Sequence, residues 1–180
     1  MRRFLVLALM GCASGSGSTT GSTADSRPSI EERTILTDDR LYRSTVDSRR
    51  VSTLVPAPRD KVWQAVQAAY TELGIDVKTM NPNTGELGNT AHTTQRTLAG
   101  KPISNFLNCG TDAITGPIAN THRIVLSLLT TLSPDSNGTM IESRLTATAR
   151  KVGTSNDPLA CSTTGRLERD LNRRVVEMLP

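Results

Sequence analysis

The chain has 180 residues, enough for one domain and an additional segment. It carries 21 basic and 17 acidic side chains, a formal net charge of +4, and only five aromatic residues. So weak a positive charge and so few aromatic rings argue against a nucleic-acid-binding surface.

Residues 1–11 have the pattern of a secretion signal. Arg2 and Arg3 precede the apolar run 4–10, which is much shorter than the about 20 residues needed to span a bilayer. A run of this length suits the core of a signal peptide. The sequence Leu-Met-Gly-Cys, ending at Cys12, then resembles a bacterial lipobox. That resemblance implies cleavage before Cys12 and attachment of lipid to its sulfur; a secreted or a cytoplasmic protein without lipid remains the alternative.

Two or three acyl chains on Cys12 would anchor the protein stably, and the membrane would then be its first partner. Ala13 stands where an aspartate commonly retains lipoproteins in the inner membrane, which favours the outer membrane and a domain that faces the periplasm.

A flexible tether is expected over residues 12–33. Of the 16 residues 14–29, 12 are Ser, Gly or Thr, and such a segment cannot offset its ordering entropy.

The folded domain is expected over residues 49–180, after a lead-in at 34–48 that is either a strand or an ordered segment. Alternation of apolar residues predicts a strand over 50–55. A helix is predicted over 58–73, because its apolar residues form one stripe and Gly74 is placed to end it. The next segments are predicted as a strand over 75–80, a turn over 81–85 and a strand over 87–97.

The second half of the domain begins with an irregular insert at 98–116, with a short helix near 104–107. Strong alternation then predicts strands over 121–132 and 139–151, joined by a hairpin turn at 134–138. Thr163 or Thr164 is expected to cap a final helix. The apolar residues that place this helix are Leu167, Leu171, Val175 and Leu179.

These elements predict an α+β fold with the order β-α-β-β-(insert)-β-β-α. Short connections favour antiparallel pairing of neighbouring strands, and the two main helices must cover one face of the sheet to bury their apolar stripes. The segments VPAPRDKVWQAVQAAYTELGIDV and NPNTGELGN, about 40 residues together, resemble the opening of helix-grip domains. They are similar to the repeated domains of the lipoprotein C subunit of the β-barrel assembly machinery, which implies a helix-grip-like fold and, by analogy, a role in outer-membrane assembly or maintenance.

Cys109 and Cys161 are expected to form a disulfide. Cys12 is expected to carry lipid, which leaves two of the three cysteines. Export to an oxidising compartment favours pairing of an even number of cysteines. Both cysteines lie in stretches rich in Gly, Asn, Ser and Thr, so we expect both in loops. Two free buried thiols, or metal ligands, are the alternatives.

The sequence shows no assembled catalytic motif, so we expect no enzyme and no cofactor or metal. His92 and His122 are isolated and are interpreted as ordinary side chains. Trp63 and Tyr70 lie two turns apart on one helix face, where they either pack the helix on the sheet or line a cavity.

The leading hypothesis for function is an interaction domain for another envelope protein. The alternative is a binding module for an apolar ligand or lipid in a cavity between helix and sheet, lined by Trp63 and Tyr70.

Overall fold

The structure, a computed structural model, describes strands at Ile30–Thr37 and Arg40–Asp47 and residues 50–153 and 157–180. The signal peptide, Cys12 and the tether up to residue 29 lie outside the described residues. The two N-terminal strands, β1 and β2, form an antiparallel hairpin in which Ile30 pairs with Asp47. β1 therefore begins inside the range predicted as tether, and β2 falls within the predicted lead-in.

The described elements are as follows, in chain order. After β1 and β2 come β3 (Arg50–Val55), α1 (Arg59–Glu72), β4 (Thr79–Asn81), β5 (Glu86–Gln95), β6 (Thr97–Leu98), β7 (Lys101–Pro102), a 3-10 helix (Ile103–Asn105), β8 (Leu107–Asn108), β9 (Thr111–Asp112), β10 (Gly116–Pro117), α2 (Ile118–Thr121), β11 (Arg123–Asp135), β12 (Gly138–Arg150), β13 (Leu159–Thr163) and α3 (Arg166–Glu177). The main sheet has the order β4-β5-β11-β12-β13-β8, and β3 pairs with the first half of β12. Every pairing is antiparallel, so the α+β class and the antiparallel sheet are confirmed.

The long hairpin β11–β12 supplies the centre of the core. Along β11 the residues from Ile124 to Leu132 alternate between buried and more exposed, as a strand with one covered face requires. α1 and α3 contact each other and both pack on this face. The stripe from Val62 to Tyr70 on α1 and the stripe from Leu167 to Val175 on α3 are buried there. The opposite sheet face leaves Leu54 and Val125 partly exposed.

The end of α1 follows the prediction, but the strand after it is shorter than expected. Gly74 has the left-handed φ of +71° that stops the helix, and the Ile75 amide still donates to the Tyr70 carbonyl at 3.0 Å. Regular pairing with β5 begins only at Thr79. The alternation of residues 75–80 therefore reflects the burial of Ile75 and not a full ladder of hydrogen bonds.

Three further expectations need correction. The hairpin turn is Ser136-Asn137 alone, since β11 extends to Asp135. The first residue predicted as strand at 121 belongs to α2. The helix near 104–107 is instead the 3-10 turn at Ile103–Asn105.

The start of α3 also differs from the prediction. Its cap is Gly165, with φ +71° and no capping side-chain bond. Thr163 and Thr164 lie before this cap residue and outside the helix. The Thr163 hydroxyl accepts a bond from the Gly165 amide and donates to the buried Glu168 carboxylate at 2.8 Å.

Candidate functional site

The two cysteines predicted to pair are at bonding distance. The sulfur atoms of Cys109 and Cys161 lie 2.01 Å apart, and both residues are buried. Cys109 follows β8 in a connection, as expected, whereas Cys161 lies within β13 rather than in a loop. The disulfide therefore joins the insert to the main sheet. Cys12, the predicted site of lipid attachment, lies outside the described residues.

Tyr70 is fully buried between α1 and the sheet. Its hydroxyl lies 3.0 Å from the Leu128 carbonyl oxygen, to which it donates, and 3.1 Å from the Thr130 hydroxyl. Burial raises the pKa of the Tyr70 phenol, and its hydrogen bond with Thr130 offsets this only in part. Trp63 is partly exposed and packs at the margin of the core. The tyrosine proposed as a cavity wall is thus a hydrogen-bonded core residue.

The Tyr70 hydroxyl is one end of a chain of buried polar side chains. Thr130 lies 3.0 Å from Ser143, and Ser143 donates to the Asn172 carbonyl oxygen at 2.7 Å. The Asn172 amide then donates to the Thr53 hydroxyl at 3.0 Å. The chain thus runs from α1 across β11 and β12 to α3 and β3, each member bonded. We refer to these residues, Tyr70, Thr130, Ser143, Asn172 and Thr53, as the polar chain.

His92 lies on β5 and His122 directly follows α2, and no hydrogen bond joins the two side chains in the part of the chain that the structure describes. Partial burial lowers the pKa of His92, and the smaller effects of Asp76 and Lys78 oppose each other. Partial burial also lowers the pKa of His122, whose Nδ1 is 3.0 Å from the Thr121 hydroxyl. Among the described residues, no three His, Cys, Asp or Glu side chains come together as a metal site.

An open, mostly apolar groove of about 550 Å³ lies between α1, the segment just before it and the residues after α3. Its apolar lining comes from the proline-containing segments before α1 and after α3 and from small side chains of α1, and its polar residues are Lys61 and Gln64. The lining residues are Pro56, Ala57, Pro58, Lys61, Gln64, Ala65, Ala68, Met178, Leu179 and Pro180. We call this surface the apolar groove. Neither Trp63 nor Tyr70 lines it.

The apolar groove is not predictable from local sequence, because its walls lie more than a hundred residues apart in the chain. The sequence contains one local signal, the pair Pro56 and Pro58, which the start of α1 explains equally well. Proline rings at exposed chain turns keep apolar surface in contact with solvent and lose little conformational entropy on binding, as a docking surface requires.

The chain matches no known protein-family model, and no curated protein is similar to it. In the part of the chain that the structure describes, no helix combines the length and apolar character needed to cross a membrane.

Proposed function

We propose that the chain is a lipid-anchored lipoprotein of the outer membrane whose α+β domain faces the periplasm and binds another envelope protein, without enzymatic activity. The observation that supports binding is the apolar groove. The groove has a volume of about 550 Å³ and a mostly apolar lining, with Lys61 and Gln64 as its polar residues. An apolar centre with a polar rim is the arrangement found in protein interfaces. The groove suits an apolar side chain or short segment of a partner.

The anchor rests on the lipobox resemblance at Cys12. The bonded cysteines Cys109 and Cys161 support an exported protein, since such bonds persist in oxidising compartments. We propose a helix-grip-like arrangement for the domain, because α1 and α3 lie together on one face of an antiparallel sheet. By analogy with the family named above, the partner belongs to the machinery of outer-membrane assembly or maintenance.

The apolar-ligand alternative is less well supported. It places a ligand beneath Trp63 and Tyr70, yet the Tyr70 hydroxyl occupies that interface and bonds Leu128 and Thr130. A lipid that entered there would have to break both hydrogen bonds without replacing them. Lipid extract is therefore expected to leave the fluorescence of Trp63, the chain's one tryptophan, unchanged.

A photo-crosslinking residue at Gln64 in living cells tests the protein-binding proposal. Gln64 is exposed at the rim of the apolar groove, whereas Thr71 is exposed on the same helix outside it. We expect one defined protein adduct from position 64 and none from position 71.

A charged groove variant completes the test. Ala68→Arg should abolish the adduct because it places a large cation in the apolar groove, and Thr71→Arg should leave the adduct intact. An adduct that survives Ala68→Arg, or the absence of any adduct at saturating crosslinking, would contradict binding at this groove.

A further inference from the structure

A second groove, of about 240 Å³, lies at the opposite end of α3. Its walls come from the insert on one side and from the first turns of α3 on the other. The lining residues are Lys101, Asn105, Phe106, Arg166, Arg169 and Asp170. We call this surface the basic groove. It shares no lining residue with the apolar groove, and most of its side chains are charged rather than apolar.

The walls of the basic groove are fixed relative to each other. The Thr164 amide donates to the Phe106 carbonyl oxygen at 2.9 Å, and the Thr164 hydroxyl donates to the Asn105 carbonyl oxygen at 2.9 Å. The pairing of β8 with β13 and the bonded cysteines hold the same two segments together. A ligand that binds here therefore does not have to order the walls first.

The lining residues carry three positive charges and one negative charge. The negative charge is already neutralised, because Asp170 Oδ2 lies 3.2 Å from Lys101 Nζ and Asp170 Oδ1 lies 3.4 Å from Arg173. Arg169 donates to the Thr164 carbonyl oxygen, and no acidic partner for Arg166 or Arg169 is found among the described residues. Two exposed arginines, three residues apart on one helix face, thus line the same groove, and neither has an acidic partner in the part of the chain that the structure describes.

We propose that the basic groove binds a phosphomonoester group. The lining side chains sum to a net charge of +2, with Lys101, Arg166 and Arg169 against Asp170. A phosphomonoester carries close to two negative charges at neutral pH and offers three acceptor oxygens, which match two planar guanidinium groups. A carboxylate or a phosphodiester has one negative charge and would leave the groove positively charged. The phosphomonoester comes either from a soluble molecule or from a lipid headgroup.

The binding test uses the full chain with Cys12→Ser, which lacks the proposed lipid anchor, so that binding to vesicles depends on the domain and not on acyl chains. It uses two probes. Binding of inorganic phosphate is measured by phosphorus NMR, and binding to phosphatidylcholine vesicles containing phosphatidic acid is measured by co-sedimentation. Vesicles with phosphatidylglycerol at equal surface charge control for simple attraction to a negative surface. Binding of phosphate indicates a soluble ligand, and binding only to phosphatidic acid indicates a headgroup. Binding to neither, or equal binding to both anionic vesicles, overturns the proposal.

A matched pair of double variants assigns the site. Arg166→Gln with Arg169→Gln should raise Kd at least about tenfold, because both guanidinium forks are lost. Arg123→Gln with Arg150→Gln removes the same charge from two exposed, directly paired strand residues and should change Kd less than about twofold. Equal effects of the two double variants would show binding by net charge alone and overturn the proposal.

A conservative variant keeps the test valid if the glutamine variant folds poorly. Arg166→Lys with Arg169→Lys preserves both charges but removes the planar forks, so Kd should rise by about threefold or more. Thermal melting of every variant verifies folding. If both Arg166/Arg169 variants fold and bind phosphate and phosphatidic acid as tightly as the wild type, the assignment is wrong.

Discussion

Gly88 lies where β5, β11 and the Tyr70 hydroxyl meet. Its φ is +152°, and a Cβ built there would come within 2.2 Å of the Leu128 carbonyl oxygen and 2.9 Å of the Tyr70 hydroxyl. The Leu128 carbonyl accepts the Tyr70 hydrogen bond, so any side chain at position 88 would displace both partners. Only glycine fits this position without strain.

We expect Gly88→Ala to lower the free energy of unfolding by about 3 kcal/mol or more, through steric overlap and the loss of a buried hydrogen bond. Gly74→Ala is the matched control, since Gly74 also has positive φ, +71°, but a Cβ at Gly74 would meet no atom within 4 Å. The control should cost about 1 kcal/mol. Urea unfolding measures both, and equal losses would refute the role assigned to the contact with Leu128 and Tyr70.

The two histidines make stability depend on pH. The pKa values of His92 and His122 are lowered in the folded protein, so the unfolded chain takes up protons first on acidification. Stability should therefore be unaffected above the ordinary histidine pKa of about 6.5 and fall as the pH drops below it, until the folded protein is protonated too. Urea midpoints between about pH 7.5 and about pH 5 measure this. His92→Gln with His122→Gln should flatten the slope in that range, and an unchanged slope would assign it to other groups.

At the scale of elements, the bonded cysteines hold the insert to β13. Cys109→Ser with Cys161→Ser should lower the free energy of unfolding, measured in urea, by up to roughly 4 kcal/mol, because the bond closes a long loop.

Denatured wild-type protein from the exported fraction should contain no titratable thiol other than any left at an unlipidated Cys12. Two reactive thiols without reductant would show that Cys109 and Cys161 do not pair in the cell.

Elements with long, regular patterns are predictable from the sequence. The apolar stripes of α1 and α3 and the alternation in β11 and β12 each repeat several times within one element, so local sequence determines them. β13 is not predictable in this way, because its five residues, Leu159–Thr163, are mostly small and polar and are typical of a loop. Its pairing with β12 and β8 and its bonded cysteine make it a strand, and these are long-range interactions.

The candidate sites are less predictable than the fold. Trp63 and Tyr70 can be placed on one helix, but their exposure depends on how α1 meets the sheet. Both grooves are built from segments far apart in the chain. The basic groove joins Lys101 and Phe106 to the first turns of α3, and the mixed charges of α3 alone indicate only an ordinary solvated face.

At the scale of the whole molecule, Cys12 is expected to decide where the protein resides. Cys12→Ser should remove the lipid and move the protein from the membrane fraction to the soluble fraction or leave it as uncleaved precursor. Labelling with radioactive palmitate and fractionation of cell extracts measure this. The unfolding curve of the domain should not change. A Cys12→Ser protein that remains fully processed and membrane-bound would contradict the anchor.

The two grooves lie at opposite ends of α3, roughly 15–20 Å apart along a 12-residue helix. They share no residue, so a partner in the apolar groove and a phosphomonoester in the basic groove can be held at the same time. Ala68→Arg should therefore leave phosphate binding unchanged.

The polar chain has a consequence for the uniqueness of this arrangement. Apolar stripes tolerate small displacements, because one buried methyl group can replace another. A shift of α3 by a single residue, about 1.5 Å along its axis and about 100° around it, would separate Asn172 from both Ser143 and Thr53. Each buried polar group left without a partner would cost about 1–3 kcal/mol. The hydrogen bonds of the polar chain are satisfied in only one position of α3 on the sheet. They therefore select that position among several that apolar contacts alone would allow.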